Sequence, residues 1–166
     1  MAWMLLLLVA PTLVLTGCSR KSSPAAASKA ERSCPVTLPN RSVSHGASGF
    51  TAASFNYGNA SVRVSLWPQG KLVAGPLPDG SSWADIKPDG SIEAKLGWWR
   101  GVEGKLAIRG KRLDASAPPL RAYVPAGYGN TGFQATGITF PTEGCWRIVG
   151  RVGRASLTFV VMVVKR

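Results

Sequence analysis

Three cysteines, one histidine and eight carboxylates are the groups in this 166-residue chain that could do chemistry, and their spacing limits what that chemistry can be. Cys18, Cys34 and Cys145 supply thiols, His45 the one imidazole, and Asp79, Asp85, Asp89 and Glu93 a short run of carboxylates. A zinc or copper site needs several nitrogen and sulfur ligands, and a single histidine does not provide them. A Ser-His-Asp relay built on His45 would lie in a Ser/Gly-rich segment with no nucleophile motif around it. The carboxylates could hold calcium or act as the acid and nucleophile of a glycosidase. Asp79 and Asp89, however, belong to Pro-Asp-Gly turns, where an aspartate bonds its own backbone two residues on. The reading is therefore no metal, no cofactor and no catalytic set. The alternative is a small cell-wall or glycan hydrolase using carboxylates between residues 79 and 103.

Other groupings could bind without reacting. Trp98, Trp99 and Arg100 are consecutive, with Trp67 and Trp146 elsewhere. Neighbours in a strand point to opposite faces, so strict alternation gives the core only one of Trp98 and Trp99. The set reads as core and edge packing, as a sugar or peptide platform with Arg100 beside it, or as a membrane-interface contact. Arg147, Arg151 and Arg154 flank a Gly150 and Gly153 turn of the last hairpin and form either an anion-facing rim or a solvated end. Gly127-Tyr128-Gly129-Asn130-Thr131-Gly132 spells G-x-G-x-x-G. A dinucleotide site needs the last glycine to open a helix, whereas Phe133 to Phe140 reads as a strand. A tight loop is the better account.

Cys18 has a different chemistry. Trp3 to Leu15 is apolar and uncharged and, at about 13 residues, is too short to cross a ~30 Å hydrocarbon core. It runs into Leu15-Thr16-Gly17-Cys18, which resembles the lipobox of bacterial lipoprotein signals, where Cys18 would receive diacylglycerol. The n-region lacks Lys and Arg, and Pro11 interrupts the run; the competing reading is an apolar core segment with a chance Gly-Cys. Two acyl chains anchor stably where one is marginal. Residues 1–17 are then a signal peptide, 18–33 a lipidated cysteine and flexible tether, and 34–166 the folded domain. The tether, SRKSSPAAASKAERS, would span about 20 Å on average. Ser19 after Cys18 permits outer-membrane sorting if the cell has two membranes.

Lys and Arg outnumber Asp and Glu by 20 to 8, a formal net charge of +12. The cations are scattered, with no massed block that would read as a nucleic-acid patch. On an exported, membrane-anchored protein the charge implies attraction to anionic lipid headgroups or wall polymers, or a well-solvated surface without a partner. With Cys18 assigned to lipid, Cys34 and Cys145 remain as a pair in an oxidising compartment. They are either one disulfide or two buried free thiols.

The elements that must position these groups are strands. Beyond Cys34 no apolar pattern of helical period is long enough for a substantial helix. Ser61 to Trp67 alternates, with Val62, Val64 and Leu66 inward and Arg63 and Ser65 outward. Pro78-Asp79-Gly80 and Pro88-Asp89-Gly90 bracket a short piece at Trp83 to Ile86. Ser91 to Trp98, Lys105 to Arg109, Arg121 to Val124, Gly132 to Phe140, Gly144 to Gly150 and Ser156 to Lys165 follow as strands. Asp114 to Pro119 is a loop. Seven or more short strands predict an all-β antiparallel sandwich in preference to a barrel. The last run, LTFVVMVV, is apolar on both faces and belongs to a central strand or to one whose outer face meets a loop.

Leu66-Trp67-Pro68, Trp98-Trp99-Arg100-Gly101, the segment from Gly110 to Ala122, the Gly-rich turn from Gly127 and FPTEGCWRIVGRVGRASLTFVV from Phe140 together resemble a group of uncharacterised bacterial exported lipoproteins. That group shares a C-terminal Pro-x-x-Gly-Cys-Trp strand and a closing Leu-Thr-Phe-Val strand, and the resemblance covers residues 57 to 165. It implies an envelope location and an immunoglobulin-like sandwich, and it carries no activity. Gly144-Cys145-Trp146 is similar to the second-last strand of immunoglobulin-like domains, although their Tyr-x-Cys corner is absent. The sequence as a whole predicts a lipid-anchored, non-enzymatic binding or structural module of the cell envelope.

Overall fold

The computed structural model describes residues 34–40 and 56–166; Cys18, the leader, the tether and His45 lie outside them. Ten strands form among the described residues: β1 (Asn56–Gly58), β2 (Val62–Ser65), β3 (Lys71–Ala74), β4 (Ala84–Ile86), β5 (Ile92–Arg100), β6 (Leu106–Arg112), β7 (Arg121–Tyr123), β8 (Gly132–Phe140), β9 (Gly144–Val152) and β10 (Ala155–Lys165). The long ones follow the period of two that buries one face. β5 alternates from Ile92 through Ala94, Leu96 and Trp98 to Arg100 on its inner side. β8 does the same with Gln134, Thr136, Ile138 and Phe140.

The strands make two sheets. The first has the order β1-β2-β5-β8-β7, with β4 paired to the start of β5 and β2 to its end; the second has the order β3-β10-β9-β6. Pairing is antiparallel except between β3 and β10, which run parallel over Lys71–Ala74 and Met162–Lys165. This corrects the purely antiparallel expectation. After β2 the chain turns through Pro68–Gly70, leaves the first sheet and joins the free edge of β10 in the second. Arg63 is also corrected. It faces outward beside Trp99, as alternation requires, yet it is buried, with Nε donating to the Asn59 carbonyl at 3.0 Å.

The two inner faces meet over Trp98. Its ring lies where a side chain at Gly150 of β9 would stand, so that a Cβ built there overlaps the six-membered ring. The ring also packs on Phe159 of β10 with centroids 5.8 Å apart. Phe140 and Trp146 make a second cross-sheet pair at 5.5 Å in edge geometry, and the Trp146 indole N–H donates to the Thr142 carbonyl at 3.1 Å. At the open side between β6 and β7, Leu120 fills the space over Gly110.

A disulfide joins Cys34 to Cys145, with Cα atoms 5.6 Å apart. Inner-facing Trp146 puts Cys145 on the outer face of the second sheet, opposite Met162. The N-terminal segment therefore runs along β10 beyond the end of β3. The Thr37 amide donates to the Val160 carbonyl at 2.8 Å, and the Val160 amide donates to Thr37 Oγ1 at 2.9 Å. This is why outward Met162 is only 4% exposed and why the final run is apolar on both sides. In the chain-entropy description, a bridge closing a loop this long stabilises by about 4–5 kcal/mol. Asp114 clamps the other side of Cys145. Its Oδ1 accepts the Cys145 amide at 3.1 Å and Arg112 Nε at 2.7 Å. Burial pushes this carboxyl upward, but the Arg112 hydrogen bond, the Cys145 amide and the Arg112 charge outweigh it, leaving the group below its ordinary value.

Gly150→Ala is expected to lower stability by about 1–3 kcal/mol through overpacking. In a Trp98→Phe background, which removes the outer ring, the same substitution should cost clearly less; additive effects in a denaturation double-mutant cycle would contradict the contact. Asp114→Asn should cost about 1–3 kcal/mol at neutral pH. A lowered carboxyl contributes above its unfolded value near 3.9 and loses that contribution as pH falls through the folded value. The gap between wild type and variant in urea melts should therefore close below about pH 4.

Candidate functional site

Two identical turns shape the outer face of the first sheet. In each, proline presets φ and a glycine, Gly80 or Gly90, sits at φ +80°. Asp79 Oδ1 accepts the Ser81 hydroxyl at 2.7 Å and amide at 3.0 Å, and Asp89 Oδ1 accepts the Ser91 hydroxyl at 2.6 Å and amide at 2.9 Å. The serine hydroxyls, helped by the amides, hold both carboxyls below the ordinary range. Both aspartates are thus spent on their turns. Between the turns β4 is pinned against β5, which sets Asp85 directly opposite Glu93 and brings Trp83 to the rim.

Beside them lies a groove of about 570 Å³. Its floor is small, made by Ala135 and Gly137 on outward positions of β8, and Lys95 of β5 and Tyr123 of β7 are the register partners of Gly137. Trp83 and Tyr123 wall it, 37% and 72% exposed. Asp85, Glu93 and Lys95 bring polar groups to the same space. Glu93 is paired with Lys87, whose ammonium is raised by that hydrogen bond and by the Glu93 charge; both side chains remain nearly half exposed. A directly opposed cross-strand pair stands about 5 Å apart at Cβ, so Asp85 and Glu93 are neighbours on one face. A general acid, however, is tuned by a dry pocket, and Asp85 is exposed. Glu103 lies away from the groove, exposed in the β5–β6 loop beside Gly153.

The consecutive tryptophans and arginine divide. Trp98 is fully buried and Arg100 is 3% exposed, so neither presents a surface to a ligand. Arg100 instead binds carbonyls, of Gly104 at 3.2 Å, of Gly129 and of Thr131 at 3.3 Å, and burial lowers its pKa from the usual guanidinium value. The loop from Gly127 thus turns carbonyl oxygens toward a cation, and Gly132 opens strand β8. Trp99 alone of the three faces outward, half-buried next to Phe133, whose ring lies over Gly97.

On the second sheet the arginines are regrouped. Gly150 lies inside β9 under Trp98, and the hairpin turn is at Gly153 and Arg154. Arg147 and Arg151 project from the outer face of β9, where Lys111 and Ala107 of β6 are their register partners and Arg109 lies between. The sequence reading missed Arg109 and Lys111 as members of this group, and it missed Trp83 and Tyr123. Each was visible as an outward or turn-flanking residue, but strand register alone brings them together. Among the described residues no three His, Cys, Asp or Glu side chains cluster as metal ligands. The chain matches no protein-family model, no curated protein and no solved structure.

Proposed function

We propose that this is a lipid-anchored, extracytoplasmic envelope protein whose sandwich is a non-enzymatic binding module, with the groove between Trp83 and Tyr123 as its ligand face. The groove carries the reading. Exposed aromatic walls over an Ala/Gly floor, with Asp85, Glu93 and Lys95 as hydrogen-bonding groups, suit a ligand that has both apolar faces and hydroxyls, as wall glycans do. The anchor is supported by the Leu-Thr-Gly-Cys sequence ending at Cys18 and by the Cys34–Cys145 bridge, which fits an oxidising compartment. The sandwich is read as immunoglobulin-like because β2, β5, β8 and β7 follow the A-B-E-D order and β6, β9 and β10 the C-F-G order. One observation favours a second reading, a small glycan hydrolase: Asp85 and Glu93 are cross-strand neighbours in the groove.

Intact mass of membrane-extracted protein should begin at Cys18 and carry a diacylglyceryl adduct; unprocessed chain without lipid would remove the anchor. Purified peptidoglycan sacculi should retain the protein, and the pair Trp83→Ala and Tyr123→Ala should weaken retention by about tenfold or more. Release of new reducing ends from the sacculi, abolished by Asp85→Asn or Glu93→Gln, would replace binding with hydrolysis.

A further inference from the structure

The outward positions of the second sheet are strongly one-signed. β6 contributes Arg109 and Lys111, β9 contributes Arg147 and Arg151, and all four are exposed. No outward position of β3, β6, β9 or β10 is a carboxylate. Among the described residues none of these four cations is within ion-pair distance of an acid. Lys111 and Arg147 are direct cross-strand partners, an arrangement that destabilises a sheet unless something outside it supplies negative charge. Between and beside them stand Val149, Thr158 and Ser156, short side chains that leave the cations proud of the face. Lys105 and Arg154 extend the positive field at the hairpin end.

The same face receives the N-terminal segment. Cys34 is bonded to Cys145, two residues before Arg147 on the outer side of β9, and Thr37 is hydrogen-bonded to β10. Cys34, where the described chain begins, thus lies at the cationic face and not at the groove, and the 15 residues that separate it from Cys18 limit its distance from an anchor to about 55 Å.

We propose that this cationic face of the β3-β10-β9-β6 sheet docks on an anionic lipid bilayer, with Arg109, Lys111, Arg147 and Arg151 against headgroup phosphates and the groove of the opposite sheet turned outward. The proposal rests on the anchored reading for its nearness to a membrane. Juxtamembrane cations bind anionic lipid additively, and their attraction falls off within a Debye length. Docking is therefore lost at high salt, whereas the acyl anchor is not.

Lysine footprinting separates the two. Full-length protein, as processed by a bacterial host, is reconstituted in phosphatidylcholine vesicles with or without phosphatidylglycerol and treated with a soluble amine reagent. Lys111 should be protected only with phosphatidylglycerol, regain reactivity in 1 M salt, and lose protection in the Arg147→Glu, Arg151→Glu variant, while Lys95 in the groove stays reactive throughout. Protein that floats with both vesicles at high salt but shows equal Lys111 reactivity in both overturns the docking and leaves the anchor. Failure to float with phosphatidylcholine alone, with salt-reversible Lys111 protection on anionic vesicles, sinks the anchor and upholds the face. Protection by soluble polyphosphate with none by anionic vesicles assigns the face to a wall polymer and overturns the lipid proposal.

Discussion

The seat of Trp98 over Gly150 is the contact on which the rest of the molecule depends. It joins the last third of β5 to the last third of β9 across the full thickness of the sandwich, and a Cβ at the glycine would overlap the ring. Because a strand alternates with a period of two, fixing Trp98 inward fixes Glu93, Lys95, Gly97 and Trp99 outward. Gly150 does the same for β9, sending Arg147, Val149 and Arg151 to the other outer face. A one-residue slip in either strand would bury charge and expose the core. The packing is firm enough to hold the Trp98 indole N–H buried without a hydrogen-bond partner among the described residues. Such a group costs about 1–3 kcal/mol, which the cross-sheet burial must exceed.

The ends of the sandwich are closed by a different physics. Arg100 reaches three backbone carbonyls of two loops at one end, and Asp114 with Arg112 holds the start of β9 at the other. Both devices bury a charge only where several hydrogen bonds compensate it. The disulfide adds a covalent tie at the Asp114 end and carries the N-terminal segment onto β10. The outer faces differ in charge pattern. The first sheet mixes Asp85 and Glu93 with Lys95 and Arg121, whereas the second sheet has only cations among its charged outward positions.

The long strands were legible because their inward residues alternate without interruption. The alternation predicts Gly132–Phe140 with its observed bounds and Ser156–Lys165 within one residue of its start. The Pro-Asp-Gly turns were legible for a local reason: proline, aspartate and glycine each do their work within a few residues. β1 and β3 were not legible. β3 is four residues long and gains its partner from the far end of the chain, so no local pattern marks it. Arg63 and Arg100 defeated the reading from opposite directions. One faces outward and is covered, the other faces inward and is solvated by carbonyls, and hydropathy cannot distinguish either from an exposed cation. The groove is not legible as a group, and of the basic face only the local set Arg147, Arg151 and Arg154 is, because each is assembled by register between strands distant in sequence. Nothing in a linear pattern says that Lys111 will stand opposite Arg147, or Gly137 beside Tyr123.

Small residues on the outer face of β8 point to what that register is used for. Glycine and alanine are poor strand formers, and a glycine inside a strand sacrifices about 0.5–1 kcal/mol of backbone entropy relative to alanine. At Gly97 the loss has a packing reason, since the Phe133 ring occupies the space a Cβ would need, at 3.0 Å. At Gly137 no such neighbour is pressed against the backbone. The nearest atom to a methyl group placed there would be Tyr123 Cβ at 3.7 Å, an ordinary contact. A side chain would fit at that position, and what it would fill is the groove. Where local preference is broken without a packing demand, the compensation lies in function more often than in stability. The proposed ligand face therefore rests on the emptiness over Gly137 and Ala135 as much as on the aromatic walls around it.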